Sequence, residues 1–282
     1  MKNPLKCDIE LLVKEANFSL RRDVSKLLNR AYRAETNKKA KKALSWILGN
    51  ADIAKKQDLA ICQDTGLPII FIEVGNNKSI SCVCVKNIEQ EVSLAYRKNY
   101  LRPFSVSPLC RITPSYKGVI THVDFNPAKR GIKVTVFPKG FGSENKSQLK
   151  MFNPTVEVTE IEDFIVESVA KAGPEACPPF IVGVGIGGTS DEALLLAKKA
   201  LLAGIDLPNK DRLLNNLEKR LLKKINALGI GPMGLGGTHT ALAVKIKTVP
   251  THIAGLPVAI NISCHALRSA SCELKNITAN ER

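Results

Sequence analysis

The stretch PFIVGVGIGGTSDEALLLAKKALL, residues 179–202, decides the class of fold. Residues 180–184 form a short continuous apolar run, which is typical of a strand buried on both faces. Residues 190–202 then place apolar side chains at three- and four-residue spacing, which predicts a helix. A buried strand that leads directly into a helix indicates a protein that mixes α and β structure.

The glycines between these two elements match G-x-G-x-x-G from Gly183 to Gly188. This pattern suggests dinucleotide binding when a second strand ends in an acidic residue about 20 residues further on. Asp206 is the available acid, but residues 203–208 are too short and broken to form that strand. A tight strand-to-helix turn is therefore the favoured interpretation, and an NAD-dependent oxidoreductase stays as an alternative.

Hydrophobic periodicity extends the mixture of elements over the whole chain. It predicts helices at 9–20, 24–33, 37–56, 88–100, 157–171 and 211–228, and strands at 69–74, 80–85, 118–125, 131–137, 240–248 and 258–262. Asn126 and Pro127 supply turn chemistry between two of the strands. No repeat or composition break divides the sequence. We predict one compact α+β domain, residues 1–282, with largely antiparallel strands.

The charge balance is strongly basic, with 41 Lys and Arg against 26 Asp and Glu and a formal net charge of +15. With four Tyr and one Trp, the sequence lacks the basic and aromatic interleaving of a nucleic-acid surface. No apolar run approaches the roughly 20 residues that span a bilayer, and the first residues do not resemble a signal peptide. We expect a cytoplasmic protein with no nucleic-acid or membrane partner, whose charge attracts an anionic substrate.

Three of the eight cysteines lie in polar loops at strand edges, namely Cys62, Cys177 and Cys264. Cys82 and Cys84 instead alternate along a predicted strand and suit small core positions. There is no C-x-x-C pair, so a zinc ribbon is disfavoured. Three loop thiolates without a fourth suit an iron–sulfur cubane with one open iron, while a purely structural role stays open.

The four histidines differ in their settings. His122 falls on an alternating strand, where packing is the favoured role. His239 ends a glycine-rich loop, and His265 is adjacent to Cys264. His252 lies in a loop twelve residues before Cys264, and an imidazole near a cluster can act as a general acid.

Several loop motifs occur together in one order along the chain. They are ICQDTG at 61–66, LRP at 101–103, KGFGSENKS at 139–147, CPP at 177–179, GPMGLGG at 231–237 and NISC at 261–264. In this combination the chain resembles the iron–sulfur hydro-lyases, the family of class I fumarate hydratase and L-tartrate dehydratase, over nearly its whole length. One departure is Phe141, which stands where many relatives have the middle of three glycines.

The resemblance implies a 4Fe–4S cluster whose three protein ligands are Cys62, Cys177 and Cys264. The fourth iron would act as a Lewis acid toward the hydroxyl of a small 2-hydroxy dicarboxylate. The base that removes the proton from the adjacent carbon is expected from a second polypeptide.

The resemblance also implies which residues handle the substrate. Arg102 is the expected carboxylate clamp, because its planar guanidinium suits two-pronged binding. Gln63 and Asp64 lie beside the first cluster ligand and are expected to face the substrate. Asp64 and His252 are the expected proton-handling pair, and Gly142 lets the backbone approach the substrate.

The family occurs as one fused polypeptide or as separate α and β chains, and this chain matches the N-terminal, cluster-bearing part. The resemblance therefore implies the α subunit of an α₂β₂ enzyme, with a β subunit as its partner. Reversible dehydration of (S)-malate to fumarate, a reaction of the tricarboxylic acid cycle, is the favoured activity. L-Tartrate dehydration is the alternative, and a non-catalytic cluster-bearing subunit is a further one.

Overall fold

The computed structural model describes residues 8–274 of the chain. These residues fall into two compact units, each with its own four-stranded sheet and apolar core. The first unit comprises residues 8–21, 53–139 and 268–274, and the second comprises residues 22–52 and 140–267. The single domain over residues 1–282 stays a prediction.

The helices and strands of the described residues follow one another closely along the chain. The helices are α1 (Ile9–Phe18), α2 (Arg22–Ala34), α3 (Lys38–Gln57), α4 (Cys82–Lys98), α5 (Phe141–Glu144), α6 (Val158–Ala172), α7 (Ser190–Leu201) and α8 (Arg212–Asn226). The strands are β1 (Leu67–Gly75), β2 (Ile120–Asn126), β3 (Ile132–Lys139), β4 (Gln148–Phe152), β5 (Phe180–Gly188), β6 (Ala241–Thr251), β7 (Leu256–Ser263) and β8 (Ala270–Leu274). Short 3₁₀ turns occupy Gly173–Ala176 and Pro232–Gly234.

The sheet of the first unit has the strand order β2-β1-β3-β8. β1 is parallel to β2 and antiparallel to β3, and β3 is antiparallel to β8. Ile70 and Ile72 of β1 and Val134 and Val136 of β3 share one core with the apolar faces of α1 and α4. Because β1 is a buried inner strand, it gives the loop that precedes it, residues 61–66, a fixed end.

The sheet of the second unit has the strand order β4-β7-β5-β6. β5 and β6 are parallel, and β7 is antiparallel to both β4 and β5. Ile181 pairs with Ser263, so the start of β5 and the end of β7 lie side by side. The loop before β5 and the loop after β7 therefore leave the sheet at the same edge.

The glycine-rich motif lies inside β5, and the expected strand-to-helix turn at Gly183–Gly188 is wrong. A Cβ atom on Gly183 would lie 2.2 Å from Ala197 O, and one on Gly185 would lie 2.0 Å from Ala193 O. These glycines therefore permit close packing of α7 on the strand. Residues 203–208 contain no strand, so the fingerprint lacks the second strand that a dinucleotide site needs.

The predicted α+β class with largely antiparallel strands is confirmed, since four strand pairings are antiparallel and two are parallel. The predicted turn at Asn126 and Pro127 is also present, although β1 lies between the two strands that it joins. The short strands β4 and β8 were not predicted. They are five residues each, and β4 is mostly exposed, so neither has a strong hydrophobic pattern.

The predicted strand at 80–85 is wrong, because this segment begins α4. Ser81 caps the helix by accepting a hydrogen bond from Cys84 N at 3.2 Å. Alternating Cys and Val side chains suggested a strand, but an N-cap serine satisfies a helix end and decides the local structure. Cys82 is consequently exposed and Cys84 half-buried in the first helical turn, so neither is a core residue of a strand.

Candidate functional site

The loop of residues 61–66 connects α3 to β1 and carries three of the predicted site residues. Asp64 Oδ1 accepts a hydrogen bond from Gly66 N at 2.9 Å, which closes a tight Asx turn. Gly66 has a φ of +75°, and a Cβ atom there would lie 2.8 Å from the Pro138 carbonyl carbon. Glycine is therefore required at this position, and the hydrogen bond of the turn fixes the orientation of the Asp64 side chain.

Cys62 and Gln63 present the other polar groups of this loop. Cys62 is half-buried with a free thiol, whose Sγ donates to Gln63 Oε1 at 3.5 Å. Gln63 is exposed. A thiol and an amide thus lie beside each other where a bound group can reach them.

Thr65 is the buried residue that ties this loop to the segment after α4. Its Oγ1 accepts a hydrogen bond from Arg102 N at 3.1 Å, and its carbonyl accepts one from the Tyr96 hydroxyl at 3.0 Å. Burial raises the pKa of Tyr96, so this hydroxyl stays a protonated donor in the neutral range. The structure therefore brings Arg102 beside the loop through its backbone, while the residue itself is exposed.

The other two predicted ligands, Cys177 and Cys264, come together in the second unit. His265 donates its backbone N–H to Cys177 O at 3.3 Å, and its Nδ1 lies 3.1 Å from the same oxygen. Both cysteines are half-buried, and neither forms a disulfide bond. Cys177 also has a φ of +55°. This backbone conformation is strained for a residue other than glycine, and the surrounding structure must hold it in place. Such strained residues are most frequent at functional sites.

A network of side chains fixes the KGFGSENKS segment to β7 and to the turn before Cys177. Asn261 Nδ2 donates to Glu144 Oε2 at 2.7 Å and to Ser147 Oγ at 2.8 Å. Lys146 pairs with Glu175, two residues before Cys177, and its hydrogen bond and charge lower the pKa of Glu175. A Cβ atom on Gly142 would meet nothing within 4 Å, so open space surrounds the predicted substrate contact.

His252 lies in the loop between β6 and β7 and is exposed. Its Nδ1 accepts a hydrogen bond from Ala254 N at 3.2 Å, which leaves Nε2 to carry the proton of the neutral ring. Nε2 is thus the ring atom that can donate a proton. His122, by contrast, stacks on Phe71 with ring centroids 5.2 Å apart, as expected for a packing role.

Glu35 is a buried carboxylate that fixes the glycine-rich loop after α8. Its Oε1 accepts the amides of Thr36 and Asn37, and its Oε2 accepts the amide and hydroxyl of Thr238 and lies 3.1 Å from His239 Nδ1. Burial pushes the pKa of Glu35 up, but these hydrogen bonds outweigh it and hold the pKa at about 2. The carboxylate is thus ionised in the neutral range.

Thr65, His265 and Glu35 were missed by the sequence analysis. Each supports a predicted site loop or a motif loop through a contact between distant parts of the chain. Glu35 and His239, for example, are 204 positions apart in the sequence. The position of Thr65 inside the ICQDTG motif was the available signal in the sequence. For His265 the sequence shows only that it is adjacent to Cys264, and neighbouring side chains usually point apart.

The donor chemistry of the three cysteines fits an iron–sulfur cluster. Each is half-buried and outside any disulfide bond, and thiolates are the ligands that iron–sulfur clusters use. Cys62 belongs to the first unit, whereas Cys177 and Cys264 belong to the second. Within residues 8–274 no three Cys, His, Asp or Glu side chains already form a metal-binding group. The shared ligation of one cluster by all three therefore stays a prediction.

Comparison with known protein families shows the family to which the chain belongs. Residues 7–273 match the family described as Fumarate hydratase (Fumerase). The chain belongs to this family of hydro-lyases, which confirms the resemblance found in its motifs.

Among the described residues, no helix is both long enough and apolar enough to cross a membrane.

Two relatives show how far the similarity extends. The chain is 43% identical over 271 residues to the putative L(+)-tartrate dehydratase subunit alpha of Methanocaldococcus jannaschii, covering 94% of this chain and 95% of that protein. It is 29% identical over 251 residues to the L(+)-tartrate dehydratase subunit alpha of Escherichia coli K12, covering 87% and 82%. The similarity therefore spans nearly the full length of each protein.

Proposed function

We propose that this chain is the α subunit of a two-component hydro-lyase that removes water from a small 2-hydroxy dicarboxylate. The observation that carries this proposal is the family match over residues 7–273. Two further observations support it. Relatives that the chain covers almost completely are named as alpha subunits, and the surplus positive charge favours a dianionic substrate.

L-Tartrate is the first candidate substrate, because both relatives are named for it. The sequence analysis had favoured (S)-malate and fumarate, and these names shift the preference to its alternative. Fumarate hydration stays the second candidate, since the matching family carries that description. L-Tartrate and (S)-malate, the hydrated form of fumarate, both have two carboxylates and at least one hydroxyl on a carbon next to a carboxylate.

The proposed cofactor is a 4Fe–4S cluster held by Cys62, Cys177 and Cys264. When bound, it supplies an open iron that acts as a Lewis acid toward the hydroxyl that leaves. The soft, half-buried thiols support this assignment. His265 contributes by holding the carbonyl of Cys177, which limits the movement of that ligand.

The protein's own side chains bind the substrate and handle protons in this proposal. Arg102 binds a substrate carboxylate with its guanidinium, whose backbone anchor on Thr65 limits the positions that it can reach. Gln63 offers an amide donor beside it, and the open space at Gly142 admits the substrate close to the backbone. His252 delivers a proton to the departing hydroxyl, with Asp64 as its proposed partner.

The proposed partner is a β subunit, and the proposed assembly is α₂β₂, since most soluble oligomers close around two-fold axes. A dicarboxylate needs a second clamp and a base that faces the carbon acid. Apart from the residues already assigned, the site loops of this chain offer no residue for the second clamp or for the base. We therefore expect the partner to supply both.

The test is an anaerobic assay of the iron- and sulfide-reconstituted chain, with and without the β subunit, on L-tartrate and (S)-malate in parallel. We expect activity with the partner present and little without it, with the higher kcat/KM on L-tartrate. Full activity of this chain alone would contradict the two-component proposal. A higher kcat/KM on (S)-malate would reverse the order of the two substrates.

A further inference from the structure

Arg268 is a buried cation in the first unit that the proposed chemistry does not use. It is 3% exposed, and its Nη2 donates to Asp64 O at 2.8 Å. Its Nε and Nη1 are buried and have no hydrogen-bond partner among the described residues. A guanidinium with two unpartnered buried N–H groups is unfavourable for stability alone, because its lost hydration is not replaced.

The hydrogen bond of Arg268 is one of several that fix the loop of residues 61–66 from other parts of the chain, and the bond from Arg102 N to Thr65 Oγ1 is another. Asn17 of α1 accepts the Ile61 amide with its carbonyl at 3.0 Å, and Tyr96 of α4 donates to Thr65 O. Asn17 and Tyr96 are uncharged in this role. Arg268 is therefore the support that adds a positive charge to the loop.

The position of this charge matters because the loop carries groups that become negative. Asp64, whose carbonyl Arg268 holds, has a carboxylate, and Cys62 is two residues away in sequence. A thiolate that ligates a cluster is also an anion. In the low-dielectric interior a fixed cation stabilises nearby negative charge more strongly than it does in water.

We propose that Arg268 is a positioning residue for the loop of residues 61–66, which it holds by the Asp64 carbonyl and whose negative charge it offsets. This inference rests on the proposed function, because the negative charge is that of the loaded site. The hydrogen bond and the charge make different predictions. Arg268→Lys keeps the charge without the planar fork, whereas Arg268→Gln keeps a neutral donor without the charge.

The first measurement is hydrogen–deuterium exchange of the metal-free full chain, followed at the amides of residues 61–66. In Arg268→Gln these amides should exchange about tenfold faster than in the wild type, because one of the hydrogen bonds that anchor the loop is weakened. Arg130→Gln, which changes an exposed arginine of the same unit, is the matched control and should leave them unchanged. If these amides exchange in Arg268→Gln at the same rate as in the wild type, the inference is overturned.

The second measurement is the rate at which a chelator removes the iron–sulfur absorbance near roughly 400 nm under anaerobic conditions. We expect Arg268→Gln to lose the absorbance about tenfold faster than Arg268→Lys, because the lysine retains the charge. Tyr96→Phe removes a hydrogen bond to the same loop without a change of charge, and it should resemble the lysine variant.

Equal rates for Arg268→Gln and Arg268→Lys would overturn the charge component of the inference. A simple loss of stability does not produce the expected order, because all variants are compared at a temperature at which circular dichroism shows them folded. If the wild-type chain takes up no cluster, the proposed function fails, and the exchange measurement alone decides whether Arg268 positions the loop.

Discussion

The backbone N–H of Arg102 donates to Thr65 Oγ1 at 3.1 Å, which joins the expected carboxylate clamp to the loop of the first expected cluster ligand. Thr65 is 5% exposed, so its side chain does not contact substrate from solvent. Its contribution is to set the distance between the Arg102 backbone and the loop that carries Cys62. Thr65 is thus a positioning residue, and this role can be separated from binding by substitution.

Thr65→Val removes the acceptor of Arg102 N with almost no change of shape. The free energy of unfolding should fall by about 1–2 kcal/mol, because a hydrogen bond is lost and a donor is left without its partner. If Arg102 binds the substrate, KM should rise about fivefold or more while kcat changes little. Thr65→Ser retains the hydroxyl and should behave like the wild type. A fall in kcat at constant KM would contradict this role.

The three expected cluster ligands should respond alike to substitution. Replacement of Cys62, Cys177 or Cys264 by Ser should abolish the iron–sulfur absorbance near roughly 400 nm after anaerobic reconstitution, because each removes a thiolate. Cys82→Ser is the matched control, since Cys82 is a free, exposed thiol at the start of α4. Retained absorbance in Cys177→Ser together with its loss in Cys82→Ser would refute the assignment.

His252 should affect the chemical step and leave the cluster intact. His252→Asn should lower kcat by about 10²–10⁴-fold, the range for removal of a general acid, with unchanged absorbance and iron content. His122→Asn is the comparison, because His122 packs on Phe71 and has no proposed part in the reaction. An effect of His252→Asn confined to KM would reduce this residue to a binding role.

The stability of the protein in acid should depend on Glu35. Its folded pKa of about 2 lies below the ordinary 4.5. The stabilisation is therefore complete above about pH 4.5 and is lost as the pH falls toward 2, by up to about 3 kcal/mol. Denaturant unfolding should show this loss in the wild type and a flatter pH profile in Glu35→Gln. Glu15→Gln, on the exposed side of α1, should keep the wild-type profile.

The sequence was informative where one short segment contains the whole signal. Apolar periodicity located six of the eight strands, although one further predicted strand is the start of α4, and the loop motifs located the cysteines. The sequence did not predict contacts between distant segments. Arg268 and Asp64 are 204 residues apart, and nothing in either segment indicates that one donates to the other. Such supports depend on how the strands are ordered, which periodicity does not determine.

The glycines of β5 should be intolerant of a methyl group for a packing reason. In Gly185→Ala the added Cβ would lie 2.0 Å from Ala193 O, so α7 must shift, and the free energy of unfolding should fall by about 1–3 kcal/mol or more. Gly49→Ala is the control, because nothing lies within 4 Å of that Cβ on α3. There the substitution should stabilise the protein by about 0.5–1 kcal/mol. Denaturant unfolding checks both variants. A neutral Gly185→Ala whose only defect is lost nucleotide binding would instead restore the dinucleotide interpretation of the motif.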